Sequence, residues 1–199
     1  MKSFLLCIAF CLTIVGAASA QPITTERGKK SDEIVVKLRK IDLLNQILPL
    51  LLTKEQINRI LPLIEQARAK QKLILSQEDD ELAKLQPQIE ETYAKAVEKN
   101  EYPTKEFSSM IAAKTKAMSM KRSIALIEMV EVVQDNLLKI LNEGQRKALI
   151  GSFDARFIDP TKKPEEISEG TRTRFYVERV LLDPLTRELL IEIVDKKKE

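Results

Sequence analysis

The chain has 199 residues, 44% hydrophobic and 32% charged, with a formal net charge of +3. That apolar share is enough for a core, five Gly and eight Pro argue against a many-turned β protein, and +3 is too small to point to nucleic acid by itself. There is no histidine, and both cysteines, Cys7 and Cys11, fall in the leading segment, which excludes disulfides, thiol chemistry, Cys/His zinc sites and histidine acid–base catalysis beyond it.

Residues 1–20 read as a secretory signal peptide. Lys2 is the charged start, Phe4 to Val15 the short apolar region, and Ala18-Ser19-Ala20 the cleavage site before Gln21. No other stretch approaches the roughly 18 apolar residues that a membrane span needs. Residues 21–30 are polar and expected to be flexible. Ser31-Asp32-Glu33 opens a first helix, with acids where the macrodipole favours them. Ile34, Leu38, Ile41, Leu44 and Leu48 give it one apolar face, and Pro49 helps to end it.

Leu52-Thr53-Lys54-Glu55-Gln56 is the strongest helix start in the chain. Thr53 as N-cap and Gln56 at N3 form a capping box, and Leu52 with Ile57 has the spacing of a hydrophobic staple. The helix that follows carries Ile57, Ile60, Ile64, Ala67, Ile74, Leu82, Leu85, Ile89, Tyr93 and Ala96, interrupted by Gln71 and Glu78. Pro62 and Pro87 are expected to kink it or break a turn. Asn100 to Pro103 is a loop, and Thr104 caps a third helix running to Leu141. Its heptad-like seam is Met110, Ala113, Ala117, Met120, Ile124, Ile127, Leu138 and Leu141, which predicts an antiparallel hairpin with the second helix. A second stripe, Ile111, Met118, Ala125 and Val132, needs a dimer partner or a ligand to cover it.

Leu141-Asn142-Glu143-Gly144-Gln145 repeats the capping grammar, with Asn142 as cap and Gln145 at N3, and opens a helix to about Phe153. Asp159 to Pro164 is a boundary. Beyond it lie two short helices, the second capped by Asp183 with Pro184 at N1, or else a β-hairpin of residues 174–182 with 187–194. The expected fold is all-α: a long antiparallel helical hairpin with flanking shorter helices. The divisions are a signal peptide (1–20), a flexible segment (21–30), a helical domain (31–158) and a C-terminal extension (159–199).

A signal peptide followed by two Leu-Thr-x-x-Gln-type motifs around a helical hairpin resembles the Spy and CpxP family of periplasmic LTxxQ proteins. Leu52, Thr53 and Gln56 match the first motif; Leu141 and Gln145 match the second, where Asn142 replaces Thr. The resemblance covers roughly residues 32–155. It implies a cradle-shaped antiparallel homodimer in the periplasm, without a cofactor, that holds unfolded exported proteins without ATP. Some members of that family instead damp a stress-sensor kinase, and others bind metal through His or Cys, which this chain lacks after residue 20.

The residues that would carry client binding are basic or apolar and lie on the two long helices: Arg68, Lys72, Ile111, Lys114, Met118, Lys121, Arg122, Ala125, Met129 and Val132. Charge speeds encounter, and adaptable apolar side chains such as Met hold without strict shape. Glu78-Asp79-Asp80-Glu81 reads as a solvated charge run without calcium-loop spacing. No Gly-rich phosphate loop or nucleophile–base pairing is present, so no enzyme activity and no metal or cofactor are expected. The alternatives to a chaperone are a regulatory adaptor docking one partner and a structural helical dimer.

Overall fold

A computed structural model describes residues 26–196; the signal segment and residues 21–25 and 197–199 lie outside the described residues. The protein is all-α, with no strand among the described residues, which settles the C-terminal region as helical. Helix α1 spans Glu26–Ile47, α2 Lys54–Lys99, α3 Lys105–Ile140, α4 Glu143–Gly151, α5 Glu169–Tyr176 and α6 Thr186–Lys196. The chain divides into two units at Leu38/Arg39. In the first, residues 26–30 are helical rather than loose, and Ile34, Val35 and Leu38 are exposed. The architecture below concerns the second unit.

Helices α2 and α3 form the antiparallel hairpin. Cross-helix pairs set its register: Lys70 with Glu128, Lys121 with Gln77, and Arg122 with Glu78. Helix α2 runs unbroken through Pro62 and Pro87. Both rings are exposed, as are Asn58 and Ala83 four residues earlier, so the carbonyls that lose a helical donor face water instead of a dry interior. Asn100 ends α2 in the left-handed conformation, which Asn tolerates well.

The core lies at one end of the hairpin. It joins Leu43 and Ile47 of α1, Ile57, Ile60, Ile64 and Ala67 of α2, Val130, Val133 and Leu137 of α3, and Leu149 of α4. Tyr176, Val177, Val180, Leu181, Leu189 and Leu190 complete it from the C-terminal helices. The region after residue 159 is thus part of the same core. Each of these six side chains is worth roughly 1.5–3 kcal/mol when fully buried, a sum comparable to the whole stability of an ordinary domain. Helix α5 continues into a π-helical turn, Val177–Leu181, where Leu182 N–H donates to Val177 O at 2.9 Å and the Thr186 hydroxyl donates to Val180 O. Asp183 accepts from Leu185 N–H at 2.9 Å in the turn before α6, which starts at Thr186 and not at Pro184 as the capping reading expected.

The apolar face expected for α1 is not the one that packs. Leu43 and Ile47 are buried, and of the expected face only Leu44 packs, half-buried against the core, whereas Ile34, Leu38, Ile41 and Leu48 are exposed. Apolar residues nearly encircle α1, so their spacing does not select a face. Polar anchors do: Arg39 donates to Asp183 at 2.9–3.0 Å, and Lys40 pairs with Glu188 and Glu192. These bonds turn Leu43 and Ile47 inward.

Tyr176 is fully buried, and its hydroxyl donates to Gln46 O at 3.3 Å. Burial pushes the phenol above its ordinary value near 10, so the unfolded chain loses this proton first as pH rises. The contribution of Tyr176 to stability is therefore intact below pH 10 and falls above it. In denaturant titrations between pH 8 and 11, Tyr176→Phe is expected to flatten that decline, at a cost of about 1 kcal/mol at neutral pH for the lost hydrogen bond. An unchanged slope would mean that other groups set the alkaline limit.

Candidate functional site

The two Leu-x-x-x-Gln motifs come together. Each closes its own capping box: Thr53 Oγ1 accepts from Gln56 N–H at 3.1 Å, and Asn142 Oδ1 accepts from Gln145 N–H at 2.9 Å. Gln56 Oε1 and Gln145 Oε1 return the bond to the Thr53 and Asn142 N–H groups, both at 3.0 Å. The same two amides then bond each other. Gln56 Nε2 donates to Gln145 Oε1 at 2.8 Å, and Gln145 Nε2 donates to Gln56 Oε1 at 2.9 Å. Each Nε2 also crosses to the other segment's backbone, Gln56 to Ile140 O and Gln145 to Leu50 O, both at 3.0 Å. Both donors and both acceptor directions of each amide are used. Leu52 and Leu141, which precede the caps, are buried in the core. The motif residues are thereby accounted for structurally.

The candidate client residues divide differently from the expectation. Met118, Ala125 and Met129 are buried, and Ile111 and Lys114 are half-buried. Ile111, Met118, Ala125 and Met129 lie on the side of α3 that faces α2, with Lys114 at its edge, so the stripe read as uncovered is, Val132 apart, the hairpin seam. Met120, Ile124 and Ile127, read as the seam, are exposed, as is Val132. Both stripes have helical spacing and similar apolarity, so periodicity alone does not say which meets α2. Arg68 is also not available: its Nη2 donates to Asp183 O at 3.1 Å and Pro184 O at 2.7 Å, fastening the α5–α6 connection. Burial, and then the Arg187 charge, lower its pKa. Lys72 is exposed, while Lys121 and Arg122 reach across to α2.

Glu78 is not part of a solvated run. It is only 5% exposed, and one of its oxygens takes Arg122 Nη1 at 2.6 Å. Its Oε1 is buried without a hydrogen-bond partner among the described residues. Among those residues no group of three metal-ligating side chains occurs, and no helix is long and apolar enough to cross a membrane.

A bare apolar strip was not legible as such. Leu75 and Leu82 follow Ile57 and Ile64 by eighteen residues, five helical turns, so they point to the same side of α2. Ile89 continues the seven-residue spacing. On α3, Leu126 precedes Val133 by seven residues. Ile57, Ile64 and Val133 are buried, whereas Leu75, Leu82, Ile89 and Leu126 are exposed. The face that α1 and α4–α6 cover at the base of the hairpin thus runs on uncovered along its arm. The signal was present, since these residues keep the core period; what was missing is where the covering helices stop.

Truncating one glutamine strands its partner amide and a backbone carbonyl. Gln145→Ala and Gln56→Ala are each expected to cost about 2–4 kcal/mol, and the double variant less than their sum by about 1–3 kcal/mol. Urea unfolding of the four proteins measures this, and strict additivity would show that the amides act separately. For the arm, Arg122→Met leaves the Glu78 carboxylate buried without its cation, at about 1–3 kcal/mol, whereas Arg122→Met with Glu78→Met recovers most of that loss. A double variant as unstable as the single one in the same assay would assign the effect to Arg122 packing.

No family model matches the chain, and no curated protein or solved structure matches it.

Proposed function

We propose that the protein is an exported, ATP-independent holdase that binds unfolded or aggregation-prone proteins along the bare face of its hairpin arm. The observation that carries this reading is the exposed continuation of the core face, Leu75, Leu82 and Ile89 of α2 beside Leu126 of α3. An exposed apolar strip offers burial to a client without requiring a fixed shape. Exposed Lys72 on α2 adds long-range attraction for acidic segments. Each contact is partial, which suits weak and promiscuous capture followed by release without a nucleotide cycle. The signal peptide read in residues 1–20 and the resemblance to the LTxxQ proteins support a periplasmic setting.

The test is light scattering of two unrelated denatured proteins diluted with and without the purified protein, ATP being absent. Suppression of both at near-stoichiometric ratios is expected. Leu82→Glu with Ile89→Glu should abolish it while leaving the urea midpoint unchanged, because both side chains are exposed. Failure to suppress either client, or full activity of the double variant, overturns the reading.

A further inference from the structure

The other apolar face of the arm has a different character. Ala113, Ala117, Met120, Ile124 and Ile127 alternate steps of four and three, the a/d pattern of a heptad. All five are exposed, Met120 at 55% and Ile124 at 54%. At about 100° per residue they centre roughly 140° round α3 from Met118, Ala125 and Met129, the side buried against α2. An a/d seam is shaped to receive a helix, and this one has none among the described residues. Ala113 and Ala117 permit close backbone approach at one end, and Met120, Ile124 and Ile127 supply knobs at the other.

The charges beside the seam select the occupant. Lys114 and Lys121 lie along one edge, at the positions just after Ala113 and Met120, and Lys116 lies along the other, just before Ala117. Between Glu106 and Glu128 the helix has no acidic residue. Lys114 and Lys116 make no ion pair among the described residues, and Lys121 meets only the neutral amide of Gln77. Glu128, just after Ile127, ends the Lys114 edge and is paired with Lys70. In a parallel self-paired α3 seam Lys116 of one copy would face Lys121 of the other, five positions on, the arrangement by which flanking charges reject a partner. A helix with acidic flanks would neutralise all three.

We propose that the outer seam of α3 is a docking site for an acidic amphipathic helix of another protein, with apolar a/d residues and Glu or Asp beside them. The site is separate from the holdase strip and does not depend on it.

Fluorescence anisotropy with labelled peptides of about four heptads tests the proposal: Leu at a and d with Glu at e and g, against the same peptide with Lys at e and g. The acidic peptide should bind at least about ten-fold tighter, and the difference should shrink as salt rises from about 0.05 to 0.5 M. Ile124→Asp should abolish binding with an unchanged urea midpoint, and Lys116→Glu with Lys121→Glu should reverse the preference. Leu82→Glu with Ile89→Glu should leave it intact, so a failed holdase assay with retained peptide binding separates the two sites. Equal affinity for both peptides, binding that survives Ile124→Asp, or a dimer in solution that Ile124→Asp converts to monomer would each overturn it; the last would make a second copy the occupant.

Discussion

The structure turns on one pair of side-chain amides. Gln56 and Gln145 lie 89 positions apart in the chain yet share two hydrogen bonds. Because each also closes the capping box of its own helix, the bonds lock the starts of α2 and α4 to each other. They also complete the end of α3. Ile140 O receives Gln56, and Leu141 O and Leu138 O receive Arg146, so carbonyls that a helix terminus leaves without partners are satisfied by side chains. Such a pair, with Gln145 buried and Gln56 half-buried, is most stable when every donor and acceptor is met, and that condition fixes its geometry closely. The base of the hairpin is set by this arrangement, with the apolar core packed around it.

Burial is distributed unevenly as a result. At the base, α2 and α3 are covered by α1, α4 and the C-terminal helices. Along the arm, only Ile74, Glu78 and Leu85 of α2 and Met118 and Ala125 of α3 are buried. The arm is held by a thin seam and by cross-helix polar pairs, including the Glu78–Arg122 bridge. Few buried contacts and many exposed backbone bonds place such a segment at the low end of local stability. That suits a surface that adapts to varied partners, and the rigid base lets it do so without risk to the fold.

The arm also separates two kinds of apolar surface that composition cannot distinguish. The strip continuing the core face is discontinuous along the arm and adjoins packed helices, which favours loose capture of extended chains. The outer face of α3 is a regular heptad seam flanked by lysines, which favours a helix. The same residue types would thus serve the two proposed modes of binding because α2 and the covering helices divide the circumference of α3 between them.

Helix positions and helix ends were legible in the chain itself, because local rules suffice for them. Thr53 with Gln56, Asn142 with Gln145, and Thr104 all cap where their spacing says they should, whereas Asp183 closes a turn and α6 starts only at Thr186. Apolar periodicity likewise marked Ile57, Ile60, Ile64 and Ala67 of α2, which reach the core, but it ran on through Leu82, Ile89 and Tyr93, which are exposed. Rotation was not legible. α1 and α3 each carry more apolar positions than one face needs, and period alone is silent on which of two equivalent stripes meets a neighbour. Packing made that choice, through Arg39 and Lys40 for α1 and through Glu78, Arg122 and Ala125 for the hairpin. It also brought Gln56 to Gln145 and drew the C-terminal helices into the core, because hydrogen bonds and burial between distant segments leave no local spacing to read.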